Sequence, residues 1–496
     1  MRRFFSALLV LALALSLAAC AGPSTTSQPP SGAPETQAVS EPPEGETTET
    51  PEQTEEPEPT TAQYFLATGR WDNTVIVIDL EKAIDPANDA TENAVVNRLR
   101  VTADIDPDGD GTTEPASGQP IYITINQDAM RAYVTNHSGS VSAAQTGSYE
   151  TGWEIGESVL SSVGQHGQPA TVAVVDLEKA LDPANWDTLG AVEEIFDTTG
   201  FGATGTAVAP DGKYLALAHA EAEGSEDGGY HIYIVDLATN KIIEEIELAC
   251  SDTIPNPNAT LSAPDTRFGY FPCPNGVTFS SLGGGTLFTA NGGTLDVSVI
   301  DWTKAMAGDP DAEVARIPTQ TGGFGLSASP DGKYVVVAAR EDPRDESEGN
   351  TVSLIDVEKA LSDPENAEIS RILVGTEDPD EASRPFVATF TPDGSQIVAT
   401  CFRTNCISVI DTAEAALGGD VTVKNILLEM PDGEKPSRPR GIAFSADGAY
   451  AAVSGAPTKG EPGSGVVWIL ETKDWTVKGR VTGIGNETYM IGGFIG

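Results

Sequence analysis

The sequence predicts an all-β protein: a seven-bladed β-propeller closed by its C-terminal strand joining blade one, behind a disordered N-terminal tether. Three observations predict it. Seven β-branched runs end on an acidic residue, at Asp79, Asp176, Asp236, Asp301, Asp356, Asp411 and, degraded, Glu471, with spacings of 97, 60, 65, 55, 55 and 60 residues. A repeat of that size made of short strands is a propeller signature. A Pro-Asp-Gly turn recurs at Pro210–Gly212, Pro330–Gly332 and Pro392–Gly394, with Ala446–Gly448 as a variant. The chain ends in a strand-like run, Tyr489–Phe494, that no other blade needs.

The first 19 residues read as an export signal, residues 20–61 as a tether and 62–496 as the propeller. Arg2 and Arg3 precede a short apolar run, Phe4–Leu17, too short for a comfortable membrane span. Leu17-Ala18-Ala19-Cys20 then resembles the lipobox of bacterial lipoproteins. That resemblance implies lipid on the Cys20 thiol, the bilayer as a partner, and a place outside the cytoplasm, at the cell surface or in the periplasm. Residues 21–62 hold nine Glu, nine Pro and no Lys or Arg. Such a segment cannot bury a core, and its charges repel.

The blades follow in order: 62–102, 118–198, 202–249, about 274–318, 322–375, 384–430 and 438–482. Blade five shows the unit most clearly, with an inner strand at Gly325–Ser329, a second at Tyr334–Ala339, a third at Thr351–Val357 and an outer one at Ile369–Val374. In the turn between the first two, Pro fixes φ, Asp bonds nearby backbone and Gly accepts a left-handed conformation. Blade one lacks an inner strand before Tyr64–Thr68, and the terminal strand is expected to supply it. After several third strands a short stretch such as Glu81–Pro86, Glu178–Pro183 or Glu358–Leu361 reads as a single helical turn on the rim.

Tyr133-Val134-Thr135-Asn136, the Pro-Asp-Gly-Lys turns and the Val-Ser-Val-Ile-Asp strand make residues 62–496 similar to the YVTN-type seven-bladed propeller family. The resemblance implies the fold and an extracytoplasmic setting. Related propellers include lactonase-like enzymes and domains that work beside haem or quinone cofactors. The motif itself is a strand signature and transfers no catalytic residue.

Charge narrows the partners. The chain has 28 Lys plus Arg against 74 Asp plus Glu, a net charge of −46. That argues against nucleic acid and leaves room for a surface protein, a glycan or a cationic ligand. The face carrying the loops between second and third strands is the expected binding surface. Its candidates are Asn136, His137, Tyr149, Trp153, His166, His219, Asn291 and Arg340.

Asp104, Asp106, Asp108 and Asp110 alternate around Gly109, with Glu114 nearby, and resemble the first half of an EF-hand loop. That pattern makes Ca²⁺ the expected cofactor. Cys250 with Cys273, and Cys401 with Cys406, are expected disulfides in an oxidising compartment. The four histidines, His137, His166, His219 and His231, show no metal-ligand spacing, and no G-x-S-x-G elbow marks a nucleophile. The reading therefore leans to a non-enzymatic, lipid-anchored binding or scaffold propeller. The alternative is a lactonase-like hydrolase or a quinoprotein-like oxidoreductase. An apolar or glycine-lined axial funnel favours the first, and convergent His, Asp or Arg groups the second.

If Cys20 carries the anchor, Cys20→Ala expressed in the native host moves the protein from the detergent phase to the aqueous phase of a Triton X-114 partition. A wild-type protein that already stays in the aqueous phase excludes the anchor.

Overall fold

A computed structural model describes residues 61–105, 111–115, 118–137, 170–198, 202–220, 229–251, 271–282, 285–342, 345, 347–458 and 461–496. The signal, the tether, Cys20, Asp106, Asp108, Asp110, Tyr149, Trp153 and His166 lie outside the described residues.

Seven four-stranded antiparallel sheets follow one another in the order the repeat predicts. Blade five runs Gly322–Ala328, Tyr334–Asp342, Ser347–Asp356 and Glu368–Leu373. Its middle strands are longer than expected, because Glu341 and Asp342 still pair with Glu348 and Ser347.

Five of the seven acidic residues that end third strands share a local cause. Asp79, Asp176, Asp301, Asp356 and Asp411 are N-caps, each accepting a backbone N–H three residues on at 2.8–3.1 Å. The rim turns they start are single helical turns, such as Leu80–Ala83 and Val357–Ser362. In the Pro-Asp-Gly turns, Asp211, Asp331 and Asp393 accept the backbone N–H two residues on at 3.0–3.1 Å. Both repeated aspartates are therefore structural.

The core lies between blades. Blades five and six bury Val336, Leu354, Phe390 and Ile397 in one cluster. Blades six and seven bury Val398, Val409, Trp468 and Trp475 in the next. Closing the ring, Phe65, Ile76 and Ile78 meet Val467 and Ile469. Each blade is thus a hydrophobic face for two neighbours, and an open array would expose two such faces.

The terminal strand, Thr488–Ile495, completes blade one beside Gln63–Gly69, with Leu66 facing Gly492 and Ala67 facing Ile491. Gly205, Gly276, Gly325 and Gly441 sit at one level of four inner strands. A Cβ at Gly205 would stand 2.7 Å from the Gly276 Cα, and one at Gly276 2.5 Å from the Phe324 carbonyl oxygen. In these four strands the neighbouring inner strand approaches too closely for a side chain at that level.

The expected disulfides are corrected. Cys250, Cys273, Cys401 and Cys406 are all thiols. Cys401 and Cys406 face each other across the hairpin of blade six. The Cys401 sulfur lies 3.5 Å from Ser408 Oγ and the Cys406 sulfur 3.4 Å from Thr404 Oγ1, so the pair is held by hydrogen bonds instead of a covalent bridge. Burial pushes the Cys401 thiol well up, whereas hydrogen bonding from Cys401 holds Cys406 down. The expected Ca²⁺ ligands Asp106, Asp108 and Asp110 lie outside the described residues, among which no cluster of three or more His, Cys, Asp or Glu fit for a metal occurs. Asp104 is drawn into an ion pair with Arg100, and the backbone of Glu114 pairs with that of Ile105.

Closure is testable at Gly493, where an added Cβ would sit 2.4 Å from the Phe444 carbonyl oxygen. Gly493→Val should lower stability by about 1–3 kcal/mol, read as a reduced urea midpoint. An unchanged midpoint would show that the terminal strand does not pack against blade seven.

Candidate functional site

The inner strands begin, and the second strands end, on one face of the ring. At the head of five inner strands stands a non-glycine residue in left-handed conformation: Gln119, Cys273, Arg384, Arg438 and Glu487, with φ of 51°, 51°, 49°, 49° and 66°. Four of them precede a proline, which ordinarily pushes its predecessor into extended conformation. Each such residue costs roughly 1–3 kcal/mol. A repeated hydrogen bond offsets part of that cost. The head residue's carbonyl accepts the first N–H beyond the second strand: Arg70 to Glu487 at 3.2 Å, His137 to Gln119 at 3.1 Å, Gly292 to Cys273 at 3.0 Å and Phe402 to Arg384 at 3.1 Å. This contact gathers two rings of side chains at one mouth.

There, guanidinium groups alternate with aromatic rings. Arg70 lies 4.8 Å from the Trp71 ring and 5.2 Å from that of Tyr489. Arg440 lies 5.3 Å from Tyr489 and 5.1 Å from Phe402. Arg384, Arg403 and Arg438 approach the same Phe402 ring at 5.3, 5.9 and 5.6 Å. Arg340 stands 4.9 Å from Phe324 and 5.3 Å from Phe386. Six of the chain's 28 cationic side chains thus meet on a protein whose net charge is −46. The rings attract them through their negative faces.

Three carboxylates enter the cluster, so it stays positive. Glu348 takes a bidentate bond from Arg403 at 2.6 Å and an ion pair from Arg384 at 3.2 Å. Burial pushes Glu348 up, but those guanidiniums override it and hold the carboxyl below its usual range. Glu341 pairs with Arg340 and Arg384. Arg70 donates to the neutral Gln119 Oε1 at 3.2 and 3.0 Å. Burial, reinforced by Arg384 and Arg70, pushes Arg340 down to about 10, so it stays protonated at neutral pH.

The deepest pair is Arg440 with Glu487. Arg440 Nη2 donates to Glu487 Oε1 at 2.6 Å, and the two side chains are 5% and 4% exposed. The other Glu487 oxygen accepts the Trp71 indole N–H. Arg440 Nη1 is buried without a hydrogen-bond partner among the described residues. A buried donor left unspent costs about 1–3 kcal/mol. Beside a carboxylate, it is fitted to an oxygen that carries or develops negative charge.

Below the mouth the axis is blocked. Ile121, Phe324, Phe386 and Tyr489, from blades two, five, six and one, pack in one buried cluster. The Phe324–Phe386 and Phe386–Tyr489 centroids are 4.6 and 5.4 Å apart, and Phe324 reaches Tyr489 across the axis at 6.1 Å. The site is therefore a funnel with an aromatic floor.

Of the predicted binding-face residues, the structure brings Arg340 into this funnel. Asn136 is buried and donates to Val101 O at 2.9 Å and Thr171 Oγ1 at 3.0 Å, so it ties strands together. Asn291 is buried among Thr289, Asp296 and Ser298. His219 is fully buried, edge-on to Tyr233 at 4.8 Å. His137 Nδ1 lies 3.3 Å from Ala203 O. The funnel opens on the face where the second strands end, and Arg384, Arg438, Arg440, Glu487 and Tyr489 are not among the residues that the repeat positions single out. A signal was present: Gln119-Pro120, Cys273-Pro274, Arg384-Pro385 and Arg438-Pro439 repeat one residue-proline step before the inner strand.

The sequence matches no family model and no curated protein. Solved structures match in fold. The periplasmic gluconolactonase of Pseudomonas aeruginosa aligns over 86% of this chain and 98% of its own, at 15% identity and a TM-score of 0.53. A putative 6-phosphogluconolactonase of Bacteroides fragilis aligns over 88% and 99%, at 14% identity and a TM-score of 0.52. These likenesses establish a propeller fold shared with lactonases. With such enzymes among the structures it resembles, and with a convergent Arg–Glu funnel in place of an apolar one, the non-enzymatic leaning is overturned. Among the described residues no helix is long and apolar enough to cross a membrane.

The Arg440–Glu487 pair has an energetic signature. Glu487→Gln leaves a buried cation unpaired and should cost about 3–5 kcal/mol. Adding Arg440→Met should recover most of that loss in urea denaturation. If the double variant is less stable than Glu487→Gln alone, the two side chains are not coupled as described.

Proposed function

We propose that this chain is an exported hydrolase of sugar-acid lactones, working at the arginine funnel and held to a membrane by lipid on Cys20. The observation that carries the reading is the buried Arg440–Glu487 pair, with an unspent guanidinium donor beside a carboxylate. The lactonases that share the fold support it, and so does the resemblance of the strand motifs to YVTN-type propellers.

The chemistry follows from the residues. A lactone seated on the Tyr489 and Phe402 rings turns its carbonyl oxygen toward Arg440 Nη1 and Arg70. Glu487 accepts a proton from a water molecule as the water oxygen attacks the carbonyl carbon. Negative charge moves onto the carbonyl oxygen, where guanidinium donors stabilise it, a contribution typically of about 3–4 kcal/mol per donor. The acyl–oxygen bond of the ring then breaks, and Glu487 returns the proton to the departing alkoxide. The product is a hydroxy acid whose carboxylate lies among cations, so its release depends on ionic strength.

Purified propeller assayed by pH-stat on glucono-δ-lactone and galactono-γ-lactone should hydrolyse at least one above the spontaneous rate. Arg440→Lys and Glu487→Gln should each lower kcat by about 10²-fold or more, in line with loss of an oxyanion donor or a general base. Turnover at the spontaneous rate on both lactones, or full activity in both variants, rejects the proposal.

A further inference from the structure

The axis holds a second concavity. Below the aromatic floor lies a cavity of about 580 Å³ lined by all seven inner strands. The strand registers define its levels. Thr124, Ala207, Thr278, Ser327, Thr389, Ala443 and Gly492 each face the third residue of their blade's second strand, at Tyr133, Ala216, Phe288, Val336, Val398, Ala452 and Leu66 (Tyr64 taken as the first in blade one). The floor residues Phe324, Phe386 and Tyr489, with Arg440, stand three positions earlier, toward the funnel. The cavity lining begins one position after them and runs toward the Pro-Asp-Gly turns. The floor thus divides the axis into two compartments.

Their chemistries differ completely. None of the nineteen residues lining the cavity is charged. At the chain's 21% charged content, about four would be expected. Hydroxyls replace charge at one level, from Thr124 (which donates to Thr206 O at 2.8 Å), Thr278, Ser327 and Thr389, while Ala207 and Gly492 at that level leave room between them. Thr278 Oγ1 accepts the Ala328 N–H at 3.2 Å, which orients its own O–H as a donor to a ligand. Ser327 and Thr389 make only long bonds to neighbouring carbonyls, at 3.3 and 3.5 Å. Two rings edge the space. Phe279 is pinned edge-on to Trp302 at 4.8 Å, and burial pushes the Tyr122 phenol up to about 12.

We propose that this cavity is a second binding site, for a neutral polyhydroxy ligand of mono- to disaccharide size. Hydroxyls meet hydroxyls, the apolar walls and rings meet sugar C–H faces, and the volume lies within the range of small-ligand sites. The lack of charge excludes an ionised sugar, whose desolvation nothing here offsets. The site is independent of the funnel, so the proposal stands whether or not the chain hydrolyses lactones.

Isothermal titration of the purified propeller with maltose and glucose tests it without any turnover. Maltose should bind saturably with Kd near or below about 1 mM, and glucuronate and glucosamine at least tenfold more weakly than glucose. Thr278→Val with Thr389→Val keeps the side-chain shape and should weaken maltose binding at least fivefold. Should that variant melt early, Ala207→Leu fills the cavity from a small-residue position and should abolish binding. Absence of heat with maltose at about 20 mM, equal affinity for the charged sugars, or binding untouched by a folded variant overturns the proposal.

Discussion

The structure depends on the pairing of its last strand with its first. Thr488–Ile495 beside Gln63–Gly69 completes blade one and turns seven repeats into a ring. Because the hydrophobic cores lie between blades, closure buries two faces that would otherwise meet water. It also brings Glu487 and Tyr489, from the end of the chain, against Arg70 and Trp71 from its beginning. The same event that stabilises the fold assembles the funnel.

Backbone strain places the site. Five non-glycine residues accept left-handed conformations at the heads of inner strands, and the carbonyls of Gln119, Cys273, Arg384 and Glu487 are spent on the loops beside them. Such strain persists only where the surroundings over-determine it. Three of the five, Arg384, Arg438 and Glu487, are charged groups of the mouth. Gly202 holds the same conformation in blade three without contributing a side chain, which shows that the geometry belongs to the fold and the chemistry to the residue.

The funnel reverses the sign of the molecule. A chain with a net charge of −46 gathers six guanidiniums against three carboxylates at one mouth. Aromatic rings separate the cations and lower the cost of their proximity. Fields from the acidic surface repel anions at long range, whereas the funnel is locally cationic. Below it, the Phe324–Phe386–Tyr489 floor seals this charge from an uncharged, hydroxyl-lined compartment.

The sequence by itself determined the blade count, the turn chemistry and the closing strand. Those features rest on local rules: alternating β-branched residues, an aspartate that caps a helical turn, a Pro-Asp-Gly bend. It also determined the face where the second strands end, on which the arginine funnel opens. Only the tertiary structure decided which residues meet there. Asn136, His219 and Asn291 stand at matching repeat positions, yet neighbouring strands consume them as buried structural groups. Arg440 and Glu487 are 47 residues apart in the chain and 2.6 Å apart in space, and Arg70 reaches Tyr489 only through closure. Contacts between blades have no period in the sequence, so no repeat alignment reveals them. The cysteines make the same point: spacing brought Cys401 and Cys406 face to face, yet both are thiols.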